Sequence, residues 1–163
     1  MFRPLARLLV SPVVIALFDL LLLIPLVLAI FDVMKRIHLH DAQHANIEVI
    51  TGIGVLMIGW GVVLEERKTL REMFGIVHEG DPVREENLDH SCHHFGLGQL
   101  VLGLLAEMFV EFVHLPDAIV NTSGIEASVL AAALLAVMTG AIFLLIHVVR
   151  LIGFASGSEI RHS

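Results

Sequence analysis

Residues 9–31 read LVSPVVIALFDLLLLIPLVLAIF, and Asp19 is the only ionisable side chain among them. The run exceeds the ~20 consecutive apolar residues that a helix needs to cross a bilayer. Arg3 and Arg7 precede it, as they would precede a secretory signal core. The apolar stretch is longer than the ~7–15 residues of such a core, and no small-x-small cleavage site follows. It is expected to be an uncleaved first transmembrane helix.

Three more segments reach spanning length, at 46–64, 95–116 and 125–149. The whole chain agrees with them. It is 56% hydrophobic and 17% charged, with a mean hydropathy of +0.85. Soluble domains are about 45–50% apolar and about 25% charged. The reading is all-α: one integral membrane bundle of four transmembrane helices over residues 1–163, with the lipid bilayer as its first partner.

Basic residues orient the spans. Arg3, Arg7, Arg67, Lys68, Arg71, Arg84, Arg150 and Arg161 lie on one face, and only Lys35 and Arg36 on the other. The positive-inside rule then puts both termini and the 65–94 connection in the cytoplasm, most simply at a bacterial plasma (inner) membrane. Within that connection, LEERKTLREMFG continues the second span as an amphipathic helix, Gly75 is the expected C-cap, and EGDP turns the chain. A net charge of −7, one Trp and no Tyr provide neither a basic stripe nor a stacking platform for nucleic acid. The single Cys92 excludes an internal disulfide.

Small residues recur along three spans. Ser128, Ala132, Ala136 and Gly140 repeat every four residues in the last. Gly96, Gly103 and Ala106 mark the third, and Gly52, Gly54, Gly59 and Gly61 the second. Such stripes let helix backbones approach closely, within one bundle or between subunits.

Two carboxylates fall at bilayer depth. Asp19 is placed near the middle of span one and Glu107 near the middle of span three, with no Lys or Arg at that depth. A charge there costs at least ~2.5–3.5 kcal/mol, so such residues face the interior and often function. They suit a proton or cation path; equally, they suit interhelical hydrogen bonds.

Ten histidines raise the question of metal. His40, His44 and Glu48 share one helical face entering span two. Glu111 and His114 leave span three on the same side of the membrane. These five form a candidate divalent-metal site, since two imidazoles one turn apart can chelate one ion. Glu111-Phe-Val-His114 also has the Glu-x-x-His spacing of di-iron bundles, which need two such units, and one is present. HDAQH (40–44) and HSCHH (90–94) resemble two of the three histidine boxes of membrane fatty-acid desaturases and hydroxylases, which bind two irons. No third box follows, and span two places these two about 30 Å apart across the membrane. The desaturase reading is therefore set aside.

HSCHH needs a different partner. If 95–116 and 125–149 form a hairpin turning near residue 121, His94 lies level with position 148, beside His147. Two imidazoles on facing helices are the axial ligands of a b-type haem. His90, His93 and Cys92 would instead suit zinc. No phosphate loop, nucleophile elbow or H-E-x-x-H motif occurs.

Three functions stay open. The first is a non-catalytic accessory or scaffold subunit of a larger membrane complex, joined to other subunits or to itself through the small-residue stripes. The second is a proton or divalent-cation transporter using Asp19 and Glu107. The third is a metal- or haem-binding redox protein using His94 with His147, or His40, His44, Glu48, Glu111 and His114.

Overall fold

A computed structural model describes residues 11–36, 43–76, 82–114 and 124–156, and every regular element among them is a helix. They are α1 (Pro12–Arg36), α2 (Gln43–Glu65), α3 (Arg67–Met73), α4 (Pro82–His114) and α5 (Glu126–Ser156). All but α3 are long and apolar enough to cross a membrane. The fold expected from the sequence, four apolar helices in one all-α bundle, is the fold observed.

Local chemistry sets the helix ends. Ser11 accepts the Ile15 N–H with its carbonyl, and Pro12 follows as the first helical residue, where its missing N–H costs nothing. After α3, Gly75 adopts φ +59°. Its N–H donates to the Glu72 carbonyl, and the Ile76 N–H donates to that of Arg71. This pair of bonds is a Schellman cap, and its left-handed residue favours glycine. The expected C-cap at Gly75 is thus observed, although a turn at Glu66 separates α3 from α2.

One boundary differs from expectation. The third long helix begins at Pro82, not at residue 95, and runs 33 residues. At 1.5 Å per residue that is about 50 Å, well beyond the ~30 Å hydrocarbon core. HSCHH therefore lies inside a continuous helix and is not a cap before one. Polar residues at 84–94 hid this from a hydropathy reading, because they are charged for a reason that only the neighbouring helix reveals.

Packing runs in a ring: α2 lies most extensively against α4, α4 against α5, and α5 against α1. The seam between α1 and α2 is thin. Glycine explains the tightest contact. A Cβ on Gly61 would lie 2.7 Å from the Gly96 carbonyl oxygen, and one on Gly96 would lie 2.5 Å from the Glu65 nitrogen. Gly103 likewise faces the Gly54 carbonyl oxygen at 2.8 Å. Gly54 and Gly61, two turns apart, thus hold α2 against α4. Gly52 and Gly59 do not share that role; nothing lies within 4 Å of a Cβ built on either. The outer surface is apolar, with Leu17, Leu28, Leu135 and Val149 exposed. That is the surface a lipid-facing bundle needs, since lipid tails are as apolar as Leu.

Candidate functional site: a buried carboxylate, imidazole and thiol

Four helices bring their polar side chains to one point inside the bundle. Asp19 of α1 and His147 of α5 are both fully buried, with Oδ2 and Nδ1 2.8 Å apart. Trp60 of α2 donates its indole N–H to the other Asp19 oxygen at 2.6 Å. On the far side of the imidazole, Nε2 faces the Cys92 Sγ of α4 at 3.7 Å. Cys92 is also fully buried.

Bonding on both sides orients the ring. A thiol donating to Nε2 leaves the proton on Nδ1, which then donates to the carboxylate. Phe95 stacks on His147 with centroids 4.7 Å apart, and the Arg150 guanidinium lies 5.4 Å from the centroid of the same Phe95 ring. Phe18 stacks on Trp60 at 5.3 Å. The carboxylate, the imidazole and the indole are thus held by aromatic faces and by hydrogen bonds together.

The order thiol, imidazole, carboxylate is that of a nucleophilic triad. Cys92 is fully buried and lines none of the cavities described at the charged end or along the α1–α2 seam. The arrangement can pass or hold a proton.

A charged layer closes one end of the bundle. Arg67, only 2% exposed, is forked between Asp89 and Glu85, with the Glu85 bond at 2.8 Å. Arg71 donates to the other Asp89 oxygen at 2.7 Å. The sequence reading missed this cluster, though a signal existed: two arginines and two carboxylates, each pair spaced i,i+4, on either side of the turn. Asp89 is one turn from Cys92, so this layer adjoins the buried site.

Asp19 and Glu107 are not neighbours. Asp19 is level, through His147, with Cys92 on α4, and Glu107 lies fifteen residues further along that helix. At 1.5 Å per residue the separation is about 22 Å. Between them Gln99, 1% exposed, donates Nε2 to the Gly140 carbonyl at 2.6 Å. The Oε1 atoms of Gln99 and Glu107 are both buried without a hydrogen-bond partner among the described residues. Gly54 makes room for Glu107, since a Cβ there would lie 2.5 Å from that Oε1.

The histidine candidates separate. His94 is exposed and donates Nδ1–H to the His90 carbonyl at 3.0 Å, while its ring packs on His90 and His93. Both nitrogens of His147 face Asp19 and Cys92. The interhelical register explains the difference. Cys92 meets His147, and Gln99 meets Gly140, so residues at equal depth total 239 and not the expected 242. The shift sets Cys92 level with His147, with Phe95 on the same face almost one turn on, while His94, two residues from Cys92 and about 200° round the helix, points away. Of the outer set, Glu48 and Glu111 are exposed. His40 and the side chains of His44 and His114 lie outside the described residues. Among the described residues no three His, Cys, Asp or Glu side chains are grouped to hold a metal ion.

Four apolar helices around a buried polar chain fit a small polytopic membrane protein. Comparison of the chain with protein-family models, curated proteins and solved structures returns no match.

Proposed function

We propose that this protein carries protons within the membrane, with Asp19 and His147 as the exchange site. The observation that supports this most is the 2.8 Å contact between two fully buried ionisable groups. Imidazole is the side chain that gains and loses a proton between pH 5 and 8. Its carboxylate partner offers the proton a second seat without breaking the contact. Asp89 lies beyond Cys92 at the charged end, and the unpartnered oxygens of Gln99 and Glu107 mark a route along α4 toward the other end. The cargo is read as a proton and not a divalent cation, because the site joins one carboxylate to an imidazole and a thiol already bonded to each other.

Proteoliposomes with a pH-sensitive dye inside and an imposed potassium diffusion potential test this. The wild-type protein should acidify the lumen faster than protein-free vesicles do. Asp19→Asn and His147→Gln should each slow that flux by roughly tenfold or more, and Glu107→Gln should slow it less. A wild-type flux equal to that of empty vesicles, or an unaltered flux in Asp19→Asn, would sink the proposal.

A second reading, an accessory or scaffold subunit that binds other membrane subunits or itself, is favoured by Gly52 and Gly59. Two turns apart on α2, they present open backbone to the exterior. If this face seats another helix, Gly59→Leu should leave the monomer folded and lower the assembled mass measured by sedimentation in detergent. A wild-type protein that sediments as a monomer under all conditions argues against self-association.

A further inference from the structure

The thin seam between α1 and α2 encloses a cavity of about 240 Å³. Leu22, Leu26, Ile53 and Leu56 line it together with the buried Gln99 and Met57 and with Trp60, and the exposed Glu48 also borders it. Gly52 and Pro25 lie at the exposed rim. Neither position adds bulk to that rim: glycine has no side chain, and proline presents only a compact ring.

The lining has one unmet need. Gln99 is 1% exposed, and its Nε2 is committed to the Gly140 carbonyl at 2.6 Å. A carbonyl accepts only from the amide nitrogen, so this bond fixes which way the amide points. The oxygen left over is buried without a partner among the described residues. A buried acceptor in an apolar setting carries a desolvation cost until a donor meets it. Trp60 N–H is already given to Asp19, and Gln99 lines the cavity, so an occupant that reaches the amide is the remaining source of a donor.

We infer that this cavity binds a membrane-soluble amphiphile whose hydroxyl group donates to the Gln99 Oε1: a phenol, a quinol or an alcohol on an apolar body. A bare acyl chain satisfies the walls and leaves the oxygen unmet. A ketone, an ether or a carboxylate brings a second acceptor against it. The site rests on geometry separate from the proton proposal and stands or falls without it.

Trp60 is the only tryptophan of the chain and lines the cavity, so its fluorescence reports occupancy. The probes are 4-bromophenol and 4-bromoanisole, nearly equal in shape, with bromine as the quencher and only the phenol able to donate. In detergent micelles, the phenol should quench saturably and bind about threefold to tenfold more tightly than the anisole. Gln99→Leu should erase that preference. Gly52→Phe, which grows into space that is empty to 4 Å, should abolish saturable quenching by both. Equal affinity for the two probes, quenching that never saturates, or a phenol preference that persists in Gln99→Leu overturns the inference. The cavity would then hold water or a lipid chain alone. If Gln99→Leu does not fold, the two probes compared on wild type and on Gly52→Phe still decide between these outcomes.

Discussion

Asp19→Ala is expected to destabilise the protein by about 3–5 kcal/mol, the cost of removing one partner from a buried pair. Two groups lose their acceptor by it. His147 Nδ1 and Trp60 Nε1 are left without an acceptor in the interior, and the bundle gains a void where the carboxylate stood. The pair is expected to behave differently from its parts. Asp19→Leu combined with His147→Leu leaves fewer unmet polar groups, and paired apolar replacement of buried polar partners is often close to neutral. The double variant should therefore recover much of the stability lost in either single variant. Trp60 still loses its acceptor, so recovery should be incomplete. Unfolding by SDS titration in mixed micelles, followed by circular dichroism, measures all three. Strict additivity of the two single effects would show that the 2.8 Å contact carries no coupling.

Arg67→Ala should cost a similar amount, about 3 kcal/mol or more, since it leaves Asp89 and Glu85 short of their forked partner. Arg67 and Asp89 are 2% and 6% exposed, so solvent does little to replace the lost contact. Arg67→Lys should recover only part of the loss, because a single ammonium cannot match the planar fork of guanidinium. Arg71→Ala should cost less, about 1 kcal/mol or below, since its side chain is 21% exposed and faces the cleft. The same SDS titration ranks the three. An Arg71 effect equal to that of Arg67 would mean that the cleft shields both arginines alike. The consequence for function is positional: this layer ties α3 to the projecting end of α4, and Cys92 sits one turn further in.

Much of the architecture was legible in the chain. Four apolar runs announced four long helices, because bilayer thickness sets a length that hydropathy can read. Gly75 was legible as a cap, since glycine is the residue that a left-handed position favours. Asp19 stood out for the energetic reason that an acid in an apolar run must find a partner. The start of α4 was not legible. Glu85 and Asp89 look like solvated loop residues until Arg67 and Arg71 are opposite them. His147 was singled out, but with His94 beside it. The register and rotation of α4 against α5, invisible in one sequence, bring Cys92 to His147 and leave His94 on the opposite face.

The amino-acid sequence by itself determined the class: an all-helical chain with four segments apolar enough for a membrane, and a small set of acids and histidines expected to matter. Its periodicity and composition carry that information locally, within each helix. The tertiary structure alone decided which polar side chains meet. Asp19, Trp60, Cys92 and His147 come from four helices, and their contact depends on how each helix is rotated and shifted against the next. For α2 against α4 it is set by backbone approach at Gly61 with Gly96 and Gly54 with Gly103, where no Cβ keeps the helices apart. The polar site joins residues far apart in the chain, and only the assembled bundle brings them together.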